Sequence, residues 1–431
     1  MDVLRFIRVK ESGFEAAAKA LVRSTLQENP KVESTVKEII ARVQAEGDLA
    51  LLELGRKFDC PNLDDLEVTE AEWQAGCDAV APADRALLDQ AAANILHFHE
   101  KQKRNSWLEI EPGKITGQMI NPLERVGVYV PGGTAIYPSS VLMAALPAKA
   151  AGVKEIIITT PAGKDGTINP YGLYAARLAG AKRIFKVGGA QAIAALAFGT
   201  ESIPKVDKVV GPGNSYVNVA KKLLWGVVDI DMLAGPSEVC VVADSGANAA
   251  YAATDMLTQA EHDTDSVAYL ITDSEEFGQS VLKELDERIK DLPRREILKQ
   301  ALEECGAIIV AESLEQACDL ANVCAPEHLA LMVREPFAWL GRIKCAGAVL
   351  MGDYSPQTLG DYMAGPSHTL PTSGTARFAS PLHTETFLKK SSFIYYTKES
   401  LDQVSDGLIQ FAGIEGFAAH AEAVRVREGG D

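Results

Sequence analysis

From about residue 126 the chain alternates short β-branched runs with alanine-rich stretches, and this alternation leaves few folds open. RVGVYV, EIIITT, RIFKV and KVV read as strands, with SVLMAALPAKAAG, YGLYAARLAG, AQAIAALAF and SYVNVAKKLLW as helices. The pattern then runs a second time. EVCVVAD, SVAYLIT, GAIIV, LALMV and GAVLM read as strands, and ANAAYAATDMLTQAE, FGQSVLKELDERI and LEQACDLANV as helices. Strands joined through helices need crossover connections, which bury a parallel sheet between two helical layers. The expected fold is α/β, with two doubly wound, incomplete Rossmann-like parallel-sheet lobes.

The residues before 126 read as helices. STVKEIIARVQAEGDLALLELGRKF has apolar residues at helical spacing and is interrupted by Gly47. PADRALLDQAAANILHFHEKQKR opens with Pro82 at a helix start and closes on Lys101, Lys103 and Arg104, which suit the negative end of the dipole. A short strand pair, GKITGQMI then RVGVYV, is expected to lead out of this region. After about residue 380 a polar, helical tail is expected. The chain thus divides into 1–125 (helical, contributing to the first lobe), 126–236 and 237–380 (the two lobes) and 381–431 (the tail).

Composition narrows the function classes. Of 431 residues, 59 are acidic and 42 are Lys or Arg, a formal net charge of -17. That balance repels phosphate backbones and anionic membranes, so neither nucleic acid nor a membrane surface is an expected partner. No apolar run approaches the roughly 20 residues that span a bilayer. The opening MDVLRFIRVKESGFEAAAK lacks the apolar core of a secretion signal. The seven cysteines form no C-x-x-C and lie mostly in apolar runs, as in a reduced, cytoplasmic protein.

Ligands of open α/β sheets sit beyond the carboxyl ends of strands. Three glycine-bearing turns are expected there: VPGGTAIYP, VGGAQA and VGPGNSY. Glycine permits close backbone approach, and a helix start offers free N–H groups to an anion. None is a G-x-G-x-x-G fingerprint.

Seven histidines can be weighed one by one. His97 and His99, two apart on a helix, face different ways and read as surface or helix-end residues. His383, in SPLHTET, is a loop histidine without chemical company. His262 ends a helix, and Gln259 lies three residues earlier on the same face; both can reach one metal ion, although a histidine neutralising a helix C-terminus looks the same. Glu327 and His328 stand together after Pro326 and before an apolar strand, a plausible acid/base pair or an exposed turn. His368 belongs to GDYSPQTLGDYMAGPSHTLPTSGTARF, which also holds Asp361; a long aperiodic stretch in a compact α/β chain is expected to be functional. His420 lies on a short tail helix, five residues after Glu415.

RVGVYVPGGTAIYPSSVLM, GGAQAIAALAFGT, VVGPGNSYV, DMLAGPSE, QAEHD, APEHL, GPSHTLPTSGTARF and EGFAAHAEAVRVR occur in an order that resembles the histidinol dehydrogenase family over residues 125–425. The resemblance implies oxidation of L-histidinol through L-histidinal to L-histidine with two NAD+, the last steps of histidine biosynthesis. It implies one zinc ion per subunit on Gln259, His262, Asp361 and His420, with Glu327 and His328 moving protons. Ser237, His368 and Glu415 would contact substrate, together with the ligands and His328. Tyr129, Gln191 and Asn214 would contact NAD+. Residues 126–236 become the NAD-binding lobe and 237–380 the lobe with zinc and the acid/base pair. The family is a homodimer whose tails cross, so Glu415 and His420 would complete the neighbouring subunit's site. Ser367 departs from the asparagine expected before the motif histidine, a change that leaves the metal and acid/base residues intact.

In this reading zinc positions the substrate, His328 is general base in both oxidations, and Glu327 activates the water that adds to the aldehyde. A thiohemiacetal route would need an activated cysteine; Cys240 and Cys324 are nearest but fit apolar core better. Three rival readings are weaker. A related dehydrogenase acting on another small polar alcohol would not need Glu415 and His420 where they stand. A zinc hydrolase would leave the glycine turns idle and lacks H-E-x-x-H. A non-catalytic two-lobed binding protein would not need the clustered acid/base residues.

Overall fold

The computed structural model describes residues 4–22, 29–132 and 137–428. Fourteen strands run in chain order among the described residues: β1 (Arg5–Arg8), β2 (Trp107–Glu111), β3 (Lys114–Pro122), β4 (Arg125–Tyr129), β5 (Glu155–Thr159), β6 (Arg183–Phe185), β7 (Lys208–Val210), β8 (Asp229–Ile230), β9 (Glu238–Ala243), β10 (Val267–Thr272), β11 (Ala307–Val310), β12 (His328–Met332), β13 (Ala348–Met351) and β14 (Leu388–Tyr396).

Two sheets are wholly parallel. One has the order β6-β5-β4-β7-β8, the other β1-β11-β10-β9-β12-β13. In each, the lobe's first strand lies inside the sheet, the next two extend to one side and the following two to the other. Strand order therefore reverses between β4 and β7, and again between β9 and β12, which makes both lobes doubly wound. Every residue of β9, β10 and β12 is buried, as a parallel sheet between helical layers requires. Truncating one of their central residues, such as Ile271→Ala, removes packing worth about 2–5 kcal/mol.

The N-terminal helices form where their caps allow. Asn29 accepts the N–H of Val32 and Pro30 opens the helix Pro30–Glu46; Gly47, at φ 55°, separates it from Asp48–Phe58. Pro82 opens Pro82–Glu100 after Ala81. The helix Pro30–Glu46 packs on Gly189–Phe198 and Ser215–Leu224 of the first lobe.

Four details depart from expectation. First, GKITGQMI does not pair with RVGVYV. Its strand β3 pairs antiparallel with β2 and β14, because β5 and β7 already occupy both edges of β4. Second, the helical N-terminal region opens with a strand: β1 adds to the free edge of β11 in the second lobe, placing Phe6 on one face of that sheet and Ile7 on the other. Third, the helical tail also carries β14. Fourth, His99 ends its helix but is fully buried rather than at the surface; its Nδ1 lies 2.8 Å from Gln102 Oε1 and its carbonyl accepts from Thr384 Oγ1 at 2.8 Å.

The chain forms two compact units. The larger runs to Gln102 and resumes over Glu124–Phe387, and so contains both lobes. The smaller is Lys103–Leu123 with the chain from Leu388 onward: the sheet β14-β3-β2 and the helices Lys398–Ile414 and Ala418–Glu428. None of the described helices is long and apolar enough to cross a membrane.

Candidate active site

His328 opens β12 opposite Val239 of β9 and Glu327 immediately precedes it, so the pair stands at the amino end of the second sheet. The helix before it, Leu314–Cys324, stops at Ala325, which sits in the left-handed region at φ 47°. A non-glycine residue there stores about 1–3 kcal/mol of strain, borne where the surrounding structure dictates the turn. Pro326 then prevents the helix from continuing and delivers Glu327 and His328 into the interior. Both are buried.

Their partners are few and close. Glu327 Oε2 accepts the backbone N–H of Glu238 at 2.8 Å and Gln259 Nε2 at 3.3 Å. His328 Nδ1 lies 3.3 Å from the Glu238 carbonyl and 3.6 Å from Glu327 Oε2, while Nε2 is 3.7 Å from Asp361 Oδ1. Burial lowers the pKa of His328, but Glu327 and Asp361 on either side outweigh it and raise the value to about 10. The two flanking acidic side chains therefore favour the protonated form of the imidazole.

Asp361 ends a short helix, Gln357–Tyr362, in the stretch that sequence reading singled out. The same stretch returns His368, whose Nδ1 lies 3.1 Å from the Asp361 carbonyl. A carbonyl only accepts, so Nδ1 carries the proton and Nε2, 3.5 Å from Ser140 Oγ of the first lobe, is left as acceptor. Burial holds His368 below the usual imidazole range, despite the raising influence of Asp361. Ser237 immediately precedes β9, half-buried at this same end. Gln259 is buried in the last turn of the helix Ala249–Ala260, whereas His262, just past that helix, is exposed.

Two buried residues near the pair escaped sequence reading. Gln357 donates from Nε2 to Gln259 Oε1, and its own Oε1 has no partner among the described residues. Asp255, one turn before Gln259, is raised to about 6 by burial, partly opposed by the charge of His328, and its Oδ2 is unpartnered. The signal available for both was spacing: each lies four residues before a candidate ligand on one helix, hence on the same face.

The donor set suits a cation. The helices Ala249–Ala260 and Leu314–Cys324 both end at this site, directing the negative ends of their dipoles towards it. Glu327 can only accept, so the Gln259 atom facing it is nitrogen and the amide oxygen is turned away as a donor to metal. Carboxylate from Asp361 and imidazole from His262 are ordinary zinc ligands, and the amide oxygen of Gln259 is an uncommon third. Among the described residues no three His, Cys, Asp or Glu side chains of the chain already form a metal cluster.

The other candidate residues lie in the first lobe, at the carboxyl ends of β4, β6 and β7. Tyr129 ends β4, buried, its hydroxyl accepting the N–H of Gly189 at 3.2 Å; burial raises its pKa. Gln191 is buried in the first turn of Gly189–Phe198. Asn214 caps Ser215–Leu224, its Oδ1 accepting from Tyr216 at 3.0 Å and Val217 at 3.2 Å, so its amide NH2 is what a ligand would meet. Gly211 has φ 112°, and an added Cβ would come within 2.1 Å of the Tyr129 carbonyl oxygen. Its N–H donates to Asp231 Oδ2 at 2.7 Å and its carbonyl accepts from Lys221 Nζ at 3.0 Å, both partners being buried. Residues 133–136 of the turn VPGGTAIYP lie outside the described residues.

Glu415 and His420 belong to the smaller unit, both exposed, with the His420 ring stacked on Phe417 at 5.0 Å. All seven cysteines are free. Cys324 is buried against Cys240, and that thiol contact with burial raises its pKa, the opposite of nucleophile activation.

A profile of the family described as histidinol dehydrogenase matches residues 22–428. A histidinol dehydrogenase from Clostridium acetobutylicum is 48% identical over 427 residues, covering 99% of both chains. One from Listeria monocytogenes is 52% identical over 398 residues, 92% of this chain and 93% of its own. Among solved structures, a histidinol dehydrogenase from Elizabethkingia anophelis superimposes with a TM-score of 0.92 at 38% identity, covering 98% of each chain.

Proposed function

The chain belongs to the histidinol dehydrogenase family, and from that premise we propose that it oxidises L-histidinol through L-histidinal to L-histidine with two NAD+. The observation that carries the reading is the buried imidazole of His328, flanked by the carboxylates of Glu327 and Asp361 at a cation-favouring sheet end.

NAD+ would lie across the carboxyl end of the first lobe, over Tyr129, Gln191 and Asn214, where two helix starts present N–H groups to its pyrophosphate. The substrate would lie at the amino end of the second sheet, against Ser237 and His368. Gln259, His262 and Asp361, with His420, would hold zinc. Held by those residues, zinc would supply a Lewis-acidic positive charge that orients the polar groups of the substrate and disfavours a second positive charge on His328.

Neutral His328 then takes the hydroxyl proton from Nε2's side of the ring while hydride leaves the carbinol carbon for NAD+. Glu327 takes a proton from water as the water oxygen adds to the aldehyde carbon, and protonated His328 returns its proton to the former carbonyl oxygen, which regenerates the neutral base. The resulting gem-diol loses its second hydride to a second NAD+, with His328 again taking the hydroxyl proton. The product is the carboxylate of histidine. His368 Nε2, an acceptor, suits a donor N–H or O–H of the substrate.

The enzyme is proposed to work in the cytoplasm as a homodimer, with Glu415 and His420 contributed to the neighbouring subunit's site. Exposed apolar side chains on the smaller unit support self-association: Ile110 is 71% exposed, Ile394 78%, Phe411 62% and Ile414 77%. The test is the count of NADH formed per histidinol consumed, with and without a chelator. Two NADH, lost on chelation and restored by zinc, is the expected result; one NADH, or activity indifferent to chelation, refutes the scheme.

A further inference from the structure

Glu327 fixes the orientation of two amides in succession. As an acceptor it binds Gln259 through Nε2 at 3.3 Å, so Gln259 Oε1 faces the other way. That oxygen accepts a hydrogen bond from Gln357 Nε2, which settles the orientation of the second amide as well. Gln357 is 1% exposed and lies four residues before Asp361, one turn away on the same face of the helix Gln357–Tyr362. Its Oε1 is left buried and unpartnered among the described residues. An unpaired buried amide oxygen costs about 1–3 kcal/mol, and such a group calls for an explanation beyond packing.

We propose that Gln357 is the positioning residue of the zinc site, locking the Gln259 amide so that one lone pair of its oxygen points at the cation shared with Asp361. The inference rests on the zinc-dependent reading above. An amide oxygen has two acceptor positions; Gln357 occupies one and leaves the other for metal. The terminal torsion of a glutamine is broad and nearly two-fold, so without this bond the Gln259 amide is free to present nitrogen, which does not ligate. The same lock holds Gln259 Nε2 on Glu327, so a single side chain keeps both the ligand and the water-activating carboxylate in place.

The experiment uses the full-length protein, stripped of metal, with Gln357→Leu and Gln357→Met beside the parent. Zinc affinity is read by competition with a chromophoric chelator, and the apo proteins are melted in parallel. Both variants should bind zinc about 10–100-fold more weakly, the usual cost of losing an outer partner of a ligand, with apo Tm unchanged. The cobalt-substituted variants should also show a shifted visible d–d band, which a merely structural role would not move. Parent-like zinc affinity in a folded variant overturns the inference while leaving the zinc reading intact. A parent that holds no zinc against the chelator overturns both.

Discussion

Apart from the added edge strand β1, the two lobes have the same strand order, and their candidate residues stand at opposite ends of it. In the first lobe the candidate residues follow β4, β6 and β7, where the helices Gly189–Phe198 and Ser215–Leu224 begin. In the second, Ser237, Glu327 and His328 stand at the starts of β9 and β12 and Gln259 at the end of Ala249–Ala260, where Leu314–Cys324 also finishes. One end presents N–H groups and suits an anion; the other presents carbonyls and suits a cation. On the proposed reading, a single topology provides a seat for a negatively charged dinucleotide and one for a metal, according to which end is furnished with side chains.

Substitutions should separate the two seats cleanly. The largest effect belongs to the proposed base: His328→Gln should lower kcat by about 10²–10⁴-fold with the KM for NAD+ unchanged, read by steady-state NADH absorbance. Near-parent turnover would break the comparison at its second half. Next, Gly211→Ala puts a methyl against the Tyr129 carbonyl and should raise the KM for NAD+ by about 10–100-fold while zinc content stays at the parent level. A loss of zinc instead would mean the lobes are not independent.

The third effect is on stability. The folded pKa of Asp255 is raised to about 6 by burial, above the ordinary value of 3.8, so the folded state prefers its protonated form. Its contribution is fully present below about pH 4 and is lost as pH rises through about 6. Asp255→Asn should therefore stabilise the apo protein by about 1–3 kcal/mol at pH 7.5 and by little at pH 4, measured by denaturant melts. A pH-independent difference would show that the carboxyl is not held neutral. The smallest effect is at Cys324, where Ala should leave turnover within about twofold, since a buried thiol with a raised pKa is a poor nucleophile.

Much of this contrast is legible in the residues themselves. The strands of both lobes announce themselves because a buried parallel strand is an unbroken apolar run, as EVCVVA and VAYLIT are. APEH stands before LALMV, so even the choice of sheet end is written in the order of the letters. What escapes is what depends on distance. RFIR is four residues among charges, and only the free edge of β11, some three hundred residues on, makes it a strand. The strands β2 and β14 are mostly exposed and lack a buried apolar run. Asp361 beside His328, and Gln357 behind Gln259, are meetings across loops that no local spacing encodes.

The pairing of β1 with β11 also orders the protein's assembly. Arg5 must find Ala307, so at a synthesis rate of roughly 5–20 residues per second the first strand waits on the order of 15–60 s for its partner to be made. The whole first lobe is translated within that interval and can be finished while its neighbour is still an open sheet. A ribosome that stalls there leaves a chain with the first lobe complete but without Glu327 and His328, and the second sheet is completed only when β11 closes over the first-made strand.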